Sequence, residues 1–245
     1  MTSTQPGEDI KSAAIVCSTA RACKNAMPNL LKTLLTVVVS TALSAVAMLG
    51  YSMLIHVVVP YIALSTFAAL ISGAVLGLLY GLETGLLLSY DLGSASGWGV
   101  LLVDLTWSFP NTVFGLILGN LFYPFLGDLS RTLSEGQGWV SYARPNGRVL
   151  QTLGTVNLGG AGNHERVHLW QARIFGPLYL PLFGASYVVT ALLQTLWTIT
   201  LGGLFFLLKM RDTPYLRPPE HSVIQGFFGW IYAATPFELW AYATE

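Results

Sequence analysis

Charge is what this sequence holds least of. Only 10% of its 245 residues are Asp, Glu, Lys or Arg, and they cancel to a net charge of zero, where an ordinary soluble domain carries about 25% charged residues. With no broad basic surface to neutralise phosphates, nucleic acid is excluded as an expected partner. Cysteine is scarcer still. Cys17 and Cys23 are the only two, and their spacing excludes a CxxC redox pair and a zinc ribbon, so they read as free thiols. A short apolar core close behind a charged start is also missing, which argues against a secretory signal. The first long apolar block begins near Leu30, runs well past the length of such a core, and is expected to be a retained transmembrane helix.

What the sequence does have is apolar surface. Hydrophobic residues make up 53% of the chain and the mean hydropathy is +0.58, concentrated in long blocks. The fold class expected is mainly α: a polytopic helical membrane protein with a small β-hairpin insertion before the histidine-bearing helix. Residues 1–29 form a polar N-terminal arm, rich in small residues and expected to be a weakly ordered cytoplasmic segment. Residues 30–126 hold the first membrane helices. The block from Leu30 to Val59 is long enough to span with some tilt and is ended by Pro60. Residues 61–90 supply a second span, in which Ser72, Gly73, Ala74 and Gly77 let helix backbones approach closely. His56, near the turn between them, reads as an interfacial or interhelical hydrogen-bonding residue. Residues 91–99 read as a loop. The third block, 100–126, is interrupted by DLTWSFPNTVFG at 104–115, so it is expected to be a short segment followed by a helix starting near Ser108 with Pro110 in its first turn. Asp104 is open between a functional role and a capping or interfacial one.

Between 127 and 163 the character turns polar, with Arg131, Arg144 and Arg148, and apolar residues alternate around Pro145-Asn146-Gly147. Asn-Gly between such runs signals a β-hairpin, which must lie outside the bilayer because an open sheet in lipid leaves backbone groups unsatisfied. Residues 164–245 then hold a histidine-bearing helix, a break at Gly176-Pro177, a fourth apolar block at 178–208, a turn-rich connection at 211–222 and a C-terminal helix.

NHERVHLWQ, 163–171, carries two of the four histidines of the chain. Residues four apart share a helix face, so His164 and His168 can aim at one metal ion, with Glu165 beside the first as general base. The implied chemistry is zinc-assisted hydrolysis of an amide. The competing reading is an amphipathic helix in which Leu169, Ala172 and Phe175 pack while the histidines face solvent or each other. Catalytic zinc takes three protein ligands, and the downstream candidates are Glu220, His221, Glu245 and Glu238. Glu238 is preferred, because the helix start at Thr235-Pro236-Phe237-Glu238 fixes a carboxylate rigidly. The same Thr-x-x-Glu is a capping box, which competes for its oxygens. Gln171 and Arg173 either orient a ligand or substrate carbonyl or are exposed helix residues. Tyr242 either supplies a transition-state hydrogen bond or is one of the interfacial aromatics with Trp230, Tyr232 and Trp240.

HERVH followed far downstream by a helical glutamate resembles the gluzincin pattern of zinc metalloproteases. The longer string HERVHLWQARIFGP with the late TPFELWAY is similar to a group of small bacterial membrane proteins that carry an HExxH helix and a terminal Pro-Phe-Glu-x-x-Ala-Tyr. The resemblance covers mainly residues 150–245. It implies Zn2+ held by His164, His168 and Glu238, Glu165 as catalyst, and a membrane-embedded metallopeptidase cleaving peptide or membrane-protein substrates near the membrane surface. One departure stands out: Ala241 and Tyr242 occupy positions where better-known gluzincins carry an aspartate.

A shared ion requires its ligands on one side of the membrane. Either 178–208 is bent or re-entrant, broken near Pro181 to Gly184, or 223–234 dips back toward the site. Lys and Arg number four in 1–32, five in 127–175 and three in 209–217, with none near Pro60. The positive-inside rule therefore places the arm, the motif and the C-terminal connection on the cytoplasmic side, and the resemblance implies that the membrane is a bacterial inner one. Two other functional classes stay open: a non-catalytic membrane protein with a structural metal site, and a transporter or partner-binding subunit suggested by the apolar bundle and Asp104.

Overall fold

The computed structural model describes residues 8–62, 64–144, 151–160, 162–216 and 226–244, with the course of the backbone only for 8–28. Helix accounts for 73% of it. Helix α1 (Glu8–Val58) runs without a break from the N-terminal segment through the first apolar block. The arm expected to stand apart is thus helical from Glu8 onward. No glycine or proline occurs between Glu8 and Met27, and the alanines, lysines and other good helix formers there favour continuation. A 3₁₀ turn at Pro60–Ile62 reverses the chain, and Ser65 caps helix α2 (Thr66–Leu86) by accepting from the Ala68 N–H.

α1 and α2 pack backbone to backbone. Gly73, Gly77, Gly81 and Gly85 recur every four residues along one face of α2, and a Cβ on any of them would run into α1 at Ser44, Ser40, Val37 or Thr33. The small residues expected to permit close approach include Gly73 and Gly77, and Gly81 and Gly85 extend the same stripe. The Thr33 hydroxyl donates to the Gly85 carbonyl at 2.7 Å, and the Ser52 hydroxyl to the Leu64 carbonyl at 2.9 Å, tying both ends of the pair.

Ser94 caps helix α3 (Ala95–Leu105), so the loop expected over 91–99 is shorter than its Gly and Ser content suggested. After a turn at 106–108, helix α4 (Phe109–Phe114) begins with Pro110 in its first turn, as expected. It continues through a π-helical turn at Gly115–Gly119, helix α5 (Asn120–Phe122) and a 3₁₀ turn at Tyr123–Phe125. The two halves of this third apolar block meet at 80°.

The extramembrane region expected at 127–163 holds strands β1 (Asp128–Leu129), β2 (Val140–Ala143), β3 (Gln151–Leu153) and β4 (Val156–Leu158), with the short helix α6 (Arg131–Ser134) between β1 and β2. Their order is β1-β2-β4-β3. The expected hairpin across Asn146-Gly147 is corrected: those residues lie outside the described ones, and β2 does not pair with β3. β4 inserts between them, parallel to β2 and antiparallel to β3, and the hairpin turns instead at Gly154-Thr155. Burial explains the insertion, because every residue of β4 and the first three of β2 are buried, which suits central strands, while β3 keeps an exposed edge. Val140, Tyr142, Val156 and Leu158 pack on Leu87 and Tyr123. A second core of Tyr80, Tyr90, Leu101, Leu105 and Leu116 joins α2, α3 and the π turn.

Helix α7 (Asn163–Phe175) ends at Gly176, and a 3₁₀ turn at Gly176–Leu178 leads into helix α8 (Tyr179–Ile199). α8 exposes Val188, Val189, Leu192, Leu193, Leu196 and Ile199. Its break comes at Thr200, before helix α9 (Leu201–Leu207), whereas the Pro181 to Gly184 stretch stays helical. The chain then doubles back along α8. Gln194 holds the Leu216 backbone with both ends of its amide, at 3.0 and 2.9 Å, and in helix α10 (Gly226–Ala233) Tyr232 lies against Phe183. Helix α11 (Pro236–Tyr242) follows, and Phe237 packs on Phe175, Tyr179 and Phe183. Of the two routes expected for a shared ion, the 178–208 block is broken, at Thr200 rather than near Pro181 to Gly184, and α10 also returns along α8 toward α7.

By length and composition, three helices suffice to cross a membrane: Asn29–Val58, Thr66–Leu86 and the Asn163–Ile199 run, or four with the bent pair. The glycine stripe makes a clean prediction. Gly77→Ala puts a methyl against the Ser40 carbonyl and the Ser44 side chain and is expected to lower stability by about 1–3 kcal/mol. Gly50→Ala, on the same hairpin with open space around it, is expected to be neutral or slightly stabilising. Thermal unfolding in detergent compares the two.

Candidate metal centre

α7 buries a polar face. Glu165, His168 and Gln171, with Leu169, Ala172 and Arg173, are its buried residues, and α11 lies across it with Glu238, itself only 1% exposed. Ligand-type atoms of His164, His168 and Glu238 all fall within 4.8 Å of one another. His164 Nε2 is 3.1 Å from Glu238 Oε2, His168 Nε2 is 3.3 Å from Glu238 Oε1, and the two Nε2 atoms are 3.1 Å apart. The histidines expected on one face are therefore brought together, and with the third residue preferred from sequence.

Gln171 fixes the protonation pattern. Its Nε2 donates to the Phe237 carbonyl at 2.8 Å, a group that only accepts, so its Oε1 faces His168 Nδ1 at 2.9 Å. Neutral His168 must then carry its proton on Nδ1, which leaves the Nε2 lone pair facing Glu238. A lone pair and a carboxylate oxygen at 3.3 Å repel. A shared cation, proton or metal ion, relieves this, and two imidazoles with one carboxylate are a fitting donor set for catalytic zinc. The Thr235 hydroxyl accepts from the Glu238 N–H at 3.4 Å, so the cap uses the backbone of Glu238 and leaves its carboxylate to the histidines. The competition between cap and ligand roles does not arise.

Glu165 is 94% buried (6% exposed), and its Oε2 has no hydrogen-bond partner among the described residues. It lines a cavity of about 220 Å³ together with His168 and Glu238. The other walls are Phe114 of α4, residues 151–154 of β3 and its turn, Tyr179, Leu180 and Phe183 of α8, and Tyr232 of α10. One wall carries the polar groups and the rest is largely apolar and aromatic.

No family model, no curated protein and no solved structure matches the chain. Its chemistry is read from these side chains.

The remaining candidates divide. Gln171 and Arg173 are buried, so neither is an exposed helix residue: Gln171 orients His168, and Arg173 leaves the site to pair with Asp104 at 2.8 Å. Asp104 sits in the last turn of α3, fully buried, and is not an N-cap. Tyr242 lays its ring on His164, with centroids 4.6 Å apart. His56 is exposed at the end of α1 and is not part of the cluster. Glu220, His221 and Glu245 lie outside the described residues. Tyr232, read from sequence only as an interfacial aromatic, lines the same cavity as Glu238. Burial and then the Glu238 charge push the Tyr232 hydroxyl far above its ordinary range, so it stays a donor. No spacing links Tyr232 to the motif, because the helix break at Ala234-Thr235 separates it from Glu238.

Glu238 is under opposing influences. Burial pushes its carboxyl up, but the hydrogen bonds of His164 and His168, the charge on His168 and the Tyr232 hydroxyl hold it down at about 2, against an ordinary 4.5. A depressed folded value stabilises the fold above the unfolded value, and that stability is lost as pH falls through the folded one. In chelator-treated protein the pairing is expected to contribute on the order of 3 kcal/mol, present above pH 4.5 for as long as His168 keeps its proton, and lost toward pH 2. Glu238→Gln should flatten the stability profile over that window, read by unfolding in detergent at stepped pH.

Proposed function

We propose that the chain is an integral membrane zinc metallopeptidase whose ligands are His164, His168 and Glu238 and whose general base is Glu165. The observation that carries this reading is the convergence of two imidazoles and one carboxylate, from helices far apart in sequence, beside a second buried carboxylate, one of whose oxygens has no hydrogen-bond partner among the described residues. Gln171 supports it by setting the tautomer of His168, the usual task of a residue behind a metal ligand.

Bound zinc supplies a Lewis acid that acidifies water and polarises a carbonyl. The chain's own residues do the rest. Glu165 takes the proton from the attacking water and returns it to the leaving amine. Thr235, capping α11, holds Glu238 in place. β3, an edge strand of the sheet, runs along the cavity, which supports an extended peptide adding beside it by backbone pairing. Phe114, Leu180 and Phe183 offer an apolar wall to its side chains. The helices long and apolar enough to cross a membrane support a bilayer around α1, α2 and α8, and a membrane-protein or membrane-associated peptide as substrate. The basic residues flanking the motif support a cytoplasmic site.

The test uses zinc-loaded, detergent-purified protein and a library of internally quenched peptides with apolar cores, presented in micelles. Cleavage is expected in the wild type, and Glu165→Gln is expected to reduce it about 10²- to 10⁴-fold while zinc stays bound. Cleavage that survives Glu165→Gln, or none by the wild type across the library, contradicts the reading.

A further inference from the structure

The segment DLTWSF-PN of the third apolar block, residues 104–111, grips the far end of the histidine helix. A helix leaves its last carbonyls without intrahelical partners; at the end of α7 this segment supplies them from outside for Ile174 and Gly176, and adds to the Gly176 N–H already on the Ala172 carbonyl. The Ser108 hydroxyl and the Asn111 amide donate to the Ala172 carbonyl at 3.0 and 3.1 Å. The same Asn111 amide donates to the Gly176 carbonyl at 2.7 Å, and the Trp107 indole N–H to the Ile174 carbonyl at 3.2 Å. Asp104 adds a two-point ion pair with Arg173, at 2.8 and 2.9 Å, and also accepts from the Tyr90 hydroxyl at 2.7 Å. Arg173 in turn donates to the Gly138 carbonyl at 2.6 Å. Gly176 has a positive φ of 55° and its open side is filled by the Trp107 ring, so the indole is held where it meets the helix end.

Asn111 also faces the other wall of the cavity. Gly154, at the tip of the β3–β4 hairpin with φ 54°, lies so close to the Asn111 carbonyl that a Cβ there would clash, and Gly115 sits equally close to the Leu153 carbonyl. One segment therefore fixes both the helix that carries His164, Glu165 and His168 and the strand that lines the cavity. Ala172 is one helical turn beyond His168, and a helix transmits an axial shift at its end to every residue along it, while metal sites tolerate only about 0.5 Å of misplacement.

We propose that residues 104–111, with Asn111 at their centre, are positioning residues for the metal site: the carbonyl bonds set the axial position of α7 against Glu238 and β3, and the Asp104–Arg173 pair sets its rotation. The proposal rests on the reading of His164, His168 and Glu238 as one site, and a metal-free measurement separates the two.

The experiment takes the full chain in detergent as wild type, Asn111→Ala, the isosteric Asn111→Asp that removes the donor without a cavity, Ser108→Ala, Ser108→Thr as rescue, and Gly77→Ala as a variant destabilised at a remote interface. Zinc affinity is read by chelator competition and site geometry by the absorption of the cobalt(II)-loaded protein. Asn111→Ala and Asn111→Asp are expected to weaken zinc by about 10- to 100-fold and to alter the cobalt spectrum. Ser108→Ala should do so less, with recovery in Ser108→Thr, and Gly77→Ala should do neither. Wild-type affinity and spectrum in both Asn111 variants overturn the proposal, whatever their melting temperatures. In parallel, His164→Cys/Glu238→Cys in a Cys17→Ser/Cys23→Ser background is cross-linked with a short bifunctional thiol reagent. Asn111→Ala is expected to slow that reaction severalfold, and an unchanged rate overturns positioning. Absence of zinc from the wild type sinks the metal reading, and the cross-linking rate then decides the positioning proposal alone.

Discussion

α7 is a polar helix held against apolar ones, and the cost of taking its charged and hydrogen-bonding groups out of water shapes everything around it. An unpaired buried carboxylate or guanidinium is strongly destabilising, so each such group on α7 has drawn a partner from another element. Arg173 takes Asp104 from α3, with Tyr90 and the Gly138 carbonyl completing the set. His168 takes Gln171 and Glu238, and Gln171 reaches the α11 backbone. Breaking one partner of the Asp104–Arg173 pair leaves the other as a buried uncompensated charge, which is why that pair restricts the helix more than its pairwise attraction implies. Glu165 is the exception. Among the described residues its Oε2 has no hydrogen-bond partner, and it stands at the wall of the cavity beside His168 and Glu238.

Bringing a carboxylate to those histidines from the other end of the chain required a return path, since α8 carries the backbone away from α7. The return follows α8 closely. Gln194 satisfies both backbone groups of Leu216 at the turn-back, and aromatic contacts of Tyr232 and Phe237 with Phe183 close the path near α7. The same constraint explains the sheet, whose buried strands β2 and β4 are covered by Tyr123 and Leu87, leaving β3 on the edge beside the cavity. The central geometry is thus a meeting of three distant segments: the bent third block, the histidine helix and the C-terminal helix.

Much of this was legible in the sequence where one physical rule dominates. Long apolar blocks mark α1, α2 and α8, Pro110 marks the start of α4, and the four-residue spacing of His164 and His168 marks a shared face. Glu238 was legible because Thr235-Pro236 forces a helix start there. What local rules could not reach were pairings between distant segments. Asn146-Gly147 is a strong hairpin signal, yet burial of Val156 and Leu158 drew β4 in beside β2, which no turn propensity reports. Asp104, Ser108 and Asn111 read as interruptions of an apolar block because their partners, Arg173 and the carbonyls of Ala172 and Gly176, lie more than sixty residues away. Tyr232 read only as an interfacial aromatic, since its place at the cavity depends on the fold of α10 back along α8.

The most direct test of the account is zinc content per chain in detergent-purified protein, wild type against Glu238→Ala. The account predicts about one zinc in the wild type, the stoichiometry of a single three-ligand site, and its loss in Glu238→Ala, because the carboxylate from α11 completes the donor set that α7 begins. A wild type without zinc, or Glu238→Ala that retains it at full occupancy, would contradict the account.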